Sequence, residues 1–130
     1  MNINQYFTVP YVDGGRDIAV GLDCWGLVRH VFHHEFNGPW LDVFSNSSRY
    51  TKNHQDFKKS VPSFKPCAAK TGALACCFIN KNNNLIFNHV GICVAENTVL
   101  HTASGHGVKS CSVRAFNRLA VVVKYYEWIK

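Results

Sequence analysis

The sequence predicts an α+β fold in which one helix near the N-terminus packs on an antiparallel sheet of five to six strands. An amphipathic helix pattern covers residues 24–36, and from residue 72 onward short apolar and β-branched runs alternate with turns. Because the connections between these runs are short, antiparallel pairing is favoured. The 130 residues are expected to form a single domain, 1–130.

The predicted helix carries a cysteine in its first turn. Cys24, Leu27 and Val31 recur at the spacing of one helix face. Asp23 comes directly before them and is a good N-cap, because its side chain can accept a backbone N–H of the first turn. The Asn-Gly-Pro sequence at 37–39 is expected to end the helix, since Asn or Gly suits a left-handed cap and Pro cannot continue.

The strands are predicted over five runs of the C-terminal half: residues 74–79, 87–94, 99–102, 108–113 and 119–128. Turns are expected between them at 80–84, 96–97 and 105–107. The first twenty residues are expected to be loop or extended chain with a turn at Gly14 and Gly15. Residues 38–70 have a weak pattern, in which a second helix around 49–59 is the one expected element.

The composition excludes several classes of protein. Hydrophobic residues make up 47% of the chain, which favours a globular core over disorder. No apolar run approaches the roughly 20 residues of a membrane span, and the N-terminus lacks the pattern of a secretory signal, so we expect synthesis in the cytoplasm. The net charge of +6 is dispersed and accompanies no nucleic-acid motif. We therefore expect no nucleic acid as partner, whereas an anionic bacterial envelope would suit this charge.

Six cysteines raise the question of disulfides and metal sites. A disulfide framework is not expected in a chain of this length without a secretory leader. Cys76, Cys77 and Cys93 lie in apolar runs and are expected to be buried thiols, while Cys67 and Cys111 lie in polar segments that leave their state open. Because the sequence has no Cys-x-x-Cys pair, no metal site is expected.

Cys24 has two interpretations. A thiol at a helix start can have a lowered pKa, because unpaired N–H groups and aligned dipoles there favour negative charge. Cys24 would then be a nucleophile. The alternative is a small buried apolar residue, which is what most free cysteines are. The choice depends on whether a base lies near the thiol.

The base is expected on the second predicted strand. Alternation places His89 and Gly91 on one face, and a glycine there suggests a close neighbour, for which the start of the predicted helix is the candidate. If the following turn centres on Glu96, His101 lies opposite Gly91 and diagonally across from His89. A register shifted by one residue would turn His101 to the other face.

These positions suggest a three-residue catalytic site. Cys24 would be the nucleophile, His89 the base, and His101 the group that holds the second ring nitrogen of His89. His106 lies in a glycine turn and is either a loop residue or a substrate contact. The three histidines of the predicted helix are expected on its solvated surface: His30, His33 and His34.

The motifs resemble those of the NlpC/P60 family of papain-like cysteine peptidases. The helix start Asp23-Cys24-Trp25-Gly26-Leu27-Val28, the strand His89-Val90-Gly91-Ile92 and the pair Leu100-His101 match three ordered family motifs. Upstream, Tyr11-Val12-Asp13-Gly14-Gly15 is similar to the family's tyrosine and double glycine. The resemblance covers roughly residues 6 to 105. It implies a papain-like NlpC/P60 fold with the Cys-His-His site, and no cofactor.

The resemblance also implies an activity, namely cleavage of amide bonds in peptidoglycan stem peptides, typically between γ-D-glutamyl and a diamino acid. The backbone N–H of Cys24, helped by Tyr11, would stabilise the oxyanion. Asp23 and Trp25 would lie beside this oxyanion and substrate region. The sequence Gly72-Ala73-Leu74 lacks the acid of the family's Gly-Asp-Leu motif.

Trp25 stands where the family more often has Ser, a variant associated with phage tail members. A phage tail or prophage protein is therefore expected, delivered to the cell wall by the tail, by lysis or by a secretion apparatus, with tail proteins as partners. An interbacterial amidase toxin with an immunity protein, and a non-catalytic tail or wall-binding module, remain alternatives. The order of Cys24 before His89 favours a peptidase over the circularly permuted acyltransferases.

Overall fold

The computed structural model describes residues 1–41 and 63–129. A short 3₁₀ helix, Ile3–Tyr6, comes first, and the two-residue strands β1 (Arg16–Asp17) and β2 (Gly21–Leu22) form a small hairpin before helix α1 (Cys24–Phe36). The second helix expected around 49–59 lies outside the described residues.

The main sheet is built from the C-terminal half of the chain. Its strands are β3 (Phe64–Cys67), β4 (Leu74–Lys81), β5 (Asn84–Ala95), β6 (Thr98–Ala103), β7 (Gly107–Ser112) and β8 (Val122–Trp128), with a short helix α2 (Val113–Asn117) between the last two. Their order across the sheet is β3-β8-β4-β5-β6-β7, and every neighbouring pair is antiparallel. The predicted α+β fold, with one main helix on an antiparallel sheet, is confirmed.

Each of the five predicted strands differs from the observed one at one or both ends, and the turn expected at 80–84 is confined to residues 82–83. Three differences have a local explanation. Strand β3 was not expected, because Pro66 at an edge position interrupts the apolar alternation that predicts strands. The predicted fourth strand ends at Ser112 rather than 113, since the Ser112 hydroxyl caps α2 by accepting the N–H of Ala115. The last strand begins at Val122 rather than 119, because α2 and its following turn occupy the preceding residues.

Helix α1 begins and ends as its sequence predicts. The Asp23 carboxylate accepts the Gly26 N–H at 2.8 Å, and Asn37 ends the helix in a left-handed conformation with φ of 59°. The His33 ring nitrogen Nδ1 contacts the Gly38 carbonyl at 2.8 Å, and its ring stacks on Trp40 at 4.1 Å. The expectation of a fully solvated His33 is therefore wrong, because Trp40 folds back onto the end of the helix.

The sheet has two covered faces. Helix α1 packs on one face through Leu27, Val28 and Val31, which belong to the main core together with Val90 and Ile92 of β5. The opposite face holds a second cluster around Phe116 of α2, with these residues of the sheet: Ala75, Cys77, Cys93, Val99 and Tyr125. Cys76, Cys77 and Cys93 are buried as predicted, and all six cysteines are free thiols.

Strand β5 contains two irregularities that set the register of the site. Cys77 of β4 pairs with His89 but Phe78 pairs with Phe87, so Asn88 is an extra residue. Toward the next hairpin, Cys93 pairs with Val99 and Ala95 with Thr98, so Val94 is a second extra residue. Regular pairing from the Glu96-Asn97 turn would have turned the side chain of residue 101 to the other face.

Candidate active site

His89 and His101 lie side by side on neighbouring strands. The bulge at Val94 brings the backbone of His101 opposite Gly91, where a Cβ would approach the His101 Cβ to 3.2 Å. The His89 Nε2 atom is 3.0 Å from the His101 Nδ1 atom, a hydrogen bond with one shared proton. Both rings also contact the fully buried Phe116 ring, at 6.0 and 5.1 Å between centroids. The histidine pair is therefore held from the α2 side of the sheet.

Gly91 has a different neighbour from the one that the sequence suggests. The nearest atoms to a Cβ placed there belong to β6: the Val99 side chain at 2.6 Å, the Leu100 carbonyl at 3.0 Å and the His101 Cβ. The prediction that the start of α1 lies closest over Gly91 is wrong, because α1 packs on the Val90 face. Glycine is needed here because β6 runs close to β5 beside the two imidazoles.

The thiol of Cys24 meets the backbone of β5 directly beside His89. Its sulfur accepts backbone N–H groups from Val90, the residue after His89, and from Trp25. Cys24 is 7% exposed. Within residues 1–41 and 63–129 no hydrogen bond joins the sulfur to the His89 ring. Such contacts are often long in unliganded sites and tighten when a substrate binds.

The pKa values describe a site that is uncharged at rest. Burial, and secondarily the Asp23 carboxylate, raise the pKa of Cys24 to about 12, although the Val90 and Trp25 N–H groups and Arg16 act in the opposite direction. Burial and the neighbouring His101 lower the pKa of His89 to about 4. The lowered pKa that a helix start can give is not found at Cys24, because desolvation of the thiolate outweighs the stabilisation at the helix start.

The segment before α1 is fastened to the helix start. The Gly15 carbonyl accepts the Asp23 N–H at 3.3 Å, and a Cβ at Gly26 would overlap that carbonyl. The Asp23 carboxylate is paired with Arg16. Because Gly15 and Gly26 let the two backbones approach so closely, this double-glycine segment has a fixed position beside the first turn of α1.

The remaining candidates from the sequence are placed as follows. The Tyr11 hydroxyl donates to an Asp13 carboxylate oxygen at 3.3 Å, and its pKa is raised by burial and then by the nearby Cys24, so the phenol lies close to the thiol. Asp23 is 1% exposed and acts as cap and ion-pair partner. Trp25 is 1% exposed and packs in the main core, so its side chain does not face the solvent.

Two residues on β7 were not among the candidates from the sequence. The Cys111 sulfur lies 3.9 Å from the second ring nitrogen of His101, Nε2. Lys109 pairs directly with His101 across β6 and β7. The β6–β7 pairing decides which β7 residues lie beside His101. Because a turn fixes the pairing of the two strands it joins, the Gly105-His106-Gly107 turn was the sequence signal from which these two neighbours could have been predicted.

The sequence of the chain matches one known protein family. The sequence profile of the NlpC/P60 family matches residues 8–124. The chain belongs to the NlpC/P60 family. Members of this family are generally cysteine peptidases that act on the cell wall, so peptidoglycan is the implied substrate. A comparison with curated proteins gave no match.

Two further properties bear on the chemistry of this NlpC/P60 domain. Among the described residues, no three His, Cys, Asp or Glu side chains are grouped to hold a metal ion. None of the described helices combines the length and the apolar character required to cross a membrane.

Proposed function

We propose that this chain is a peptidoglycan hydrolase that cleaves stem peptides at the amide bond between γ-D-glutamyl and a diamino acid. Membership of the NlpC/P60 family supports a cell-wall peptidase. The observation that carries the assignment is the contact of the Cys24 sulfur with the Val90 N–H, one residue from a His89 ring that is hydrogen-bonded to His101. The proposal takes Cys24 as the thiol, His89 as the base and His101 as the orienting group of one site.

Cys24 is the nucleophile in this proposal and His89 is the general base. Because thiol and imidazole are both neutral at rest, the proton moves from Sγ to the His89 Nδ1 atom as the sulfur attacks the carbonyl carbon. His89 then carries its other proton on Nε2 and donates it to the His101 Nδ1 atom. The Val90 and Trp25 N–H groups stabilise the negative charge that develops on sulfur.

The carbonyl oxygen becomes an oxyanion in the tetrahedral intermediate. In the proposed mechanism the Cys24 backbone N–H and the Tyr11 hydroxyl stabilise this charge. When the C–N bond breaks, His89 returns its proton to the leaving amine, and an acyl-thioester remains on Cys24. Water, deprotonated by His89, then hydrolyses the thioester and regenerates the thiol.

We further propose that the enzyme is delivered to the cell wall by a phage or prophage tail. The support is Trp25, which follows the nucleophile where the resembling family more often has Ser. Detection of the protein in purified tail particles is the expected result. A neighbouring immunity gene whose product inhibits the enzyme would instead identify an interbacterial amidase toxin.

Mass spectrometry of fragments released from purified peptidoglycan tests the proposed activity. The wild type should release fragments with new γ-D-glutamyl termini, and Cys24→Ala should lower this release by at least about 10³-fold, since it removes the thiol that forms the thioester in the proposed mechanism. Cys67→Ala is the matched control, because Cys67 is a partly buried thiol on edge strand β3.

Circular dichroism of each variant checks that the fold is retained. Release that persists in a folded Cys24→Ala variant would refute the thiol mechanism. Fragments cut at another stem-peptide bond would refute the proposed bond specificity, and a folded wild type without any release would favour the non-catalytic module.

A further inference from the structure

A cavity of about 400 Å³ opens beside the histidine pair. His89 and His101 line this cavity, Lys109 lies on β7 directly across from His101, and His106 lies in the β6–β7 turn. Its other lining residues carry no acidic side chain: Asn88, Ala103, Gly107 and Leu119. A cavity lined by one lysine, three histidines and no carboxylate favours an anionic group.

Two of these lining residues have a polar group that is available to a ligand. Lys109 is exposed, and among the described residues its ammonium forms no salt bridge. It lies close enough to His101 to contribute, after burial, to the lowering of that residue's pKa. The Asn88 Oδ1 atom is buried and accepts no hydrogen bond from any described residue. A buried acceptor without a donor is rare, and an N–H group of a ligand would satisfy it.

We propose that this cavity binds the leaving half of the cleaved peptide and that Lys109 binds a carboxylate at its far end. This assignment rests on the proposed function, in which His89 protonates the leaving amine and the leaving residue must therefore lie against His89. A diamino acid such as diaminopimelate carries both an amino group and a carboxylate at its far end. Asn88 Oδ1 accepts from that amino group, and Lys109 forms a charge-assisted hydrogen bond to that carboxylate.

This site should make the enzyme distinguish between leaving diamino acids that have the same chain length but different groups at the far end. Diaminopimelate with a free far carboxylate should be preferred over the same residue with that group amidated, because the amide offers Lys109 no charge. A substrate with lysine as the leaving residue, which has no carboxylate at its far end, should be disfavoured for the same reason. Lys109 is thus a specificity-determining residue and takes no part in proton transfer.

The first experiment measures cleavage of L-Ala-γ-D-Glu-diaminopimelate and of its analogue amidated at the far carboxylate. For the wild type we expect kcat/KM to be about five- to tenfold higher with the free carboxylate, the effect of one charge-assisted hydrogen bond in a partly exposed site. Lys109→Met should abolish this preference, mainly through KM, and Lys109→Arg should restore part of it. Lys65→Met removes a lysine on β3, at the opposite edge of the sheet, and should leave the preference unchanged.

The second experiment is independent of cleavage. Calorimetric titration of the peptide L-Ala-γ-D-Glu-diaminopimelate and its far-end amide into the inactive Cys24→Ala variant, with and without Lys109→Met, should give the same preference in Kd. A preference that persists in Lys109→Met, or that is missing from both experiments with the wild-type lysine, would overturn the assignment. A Lys109-dependent preference in binding, together with a folded wild type that cleaves neither peptide, would refute the proposed function and still support the carboxylate site.

Discussion

At neutral pH neither Cys24 nor His89 carries a charge, because burial raises the pKa of the thiol to about 12 and lowers that of the imidazole to about 4. A thiolate–imidazolium pair is therefore not the resting state of this site. In the proposed mechanism His89 removes the thiol proton during the attack, and the N–H groups of Val90 and Trp25 stabilise the charge that forms on sulfur. The proposed chemistry thus depends on His89 being deprotonated.

This dependence predicts the pH profile of the enzyme. Below its pKa, His89 is protonated and cannot accept the thiol proton, so kcat/KM should fall in acid with an inflection near the His89 pKa of about 4. From about pH 5.5 to about pH 8, kcat/KM should be nearly constant, since both groups stay neutral. Steady-state rates with a peptide amidated at its carboxylates avoid ionisation of the substrate. An inflection near the ordinary histidine pKa, about 6.5, would contradict the prediction.

At the scale of elements, the sequence predicts regular structure well and local register poorly. Helix α1 was predictable to the residue because Asp23 and Asn37 are strong local signals at its two ends. The facing of His89 and His101 could be stated only conditionally. The extra residue at Val94 decides it, and nothing in the run Ile92-Cys93-Val94-Ala95 indicates which residue is left out of the pairing.

The bulge can be tested by deleting one residue on either side of the β5–β6 turn. Deleting Val94 leaves Cys93 opposite Val99, so His101 should stay opposite Gly91 and kcat should remain within about threefold of the wild type. Stability should fall by about 2 kcal/mol, because a side chain leaves the core. Deleting Thr98 shifts β6 by one position and should lower kcat about as much as His101→Ala, roughly 10²-fold.

Rates and thermal unfolding of the three variants are the measurements. Loss of activity in a folded Val94 deletion, together with full activity in the Thr98 deletion, would show that the bulge does not set the position of His101.

At the scale of the whole molecule, the buried histidines make the stability of the fold depend on pH in the acid range. An unfolded chain has ordinary histidine pKa values of about 6.5, whereas His89 has a pKa of about 4 in the folded protein and that of His101 is also lowered. Between these values the unfolded chain binds more protons. The contribution of His89 to stability is therefore complete above about pH 6.5 and is lost as the pH falls toward 4.

Chemical denaturation at several pH values measures this loss. The free energy of unfolding should fall by about 3 kcal/mol from His89 alone between about pH 6.5 and 4. In His89→Gln the slope should be smaller by about one proton. His106→Gln is the matched control, because His106 lies exposed in the β6–β7 turn. Equal slopes in the wild type and His89→Gln would contradict the prediction.

The burial of Cys24, the proposed nucleophile, has a further consequence for the lifetime of the protein between reactions. Peroxides and disulfides react with thiolates, and a thiol held in its protonated form is attacked slowly. Cys24, whose sulfur is covered and protonated until His89 acts, should survive long exposure to air without becoming sulfenic acid. A lysate or a culture medium would then inactivate the idle enzyme far more slowly than it inactivates a peptidase with a resting thiolate.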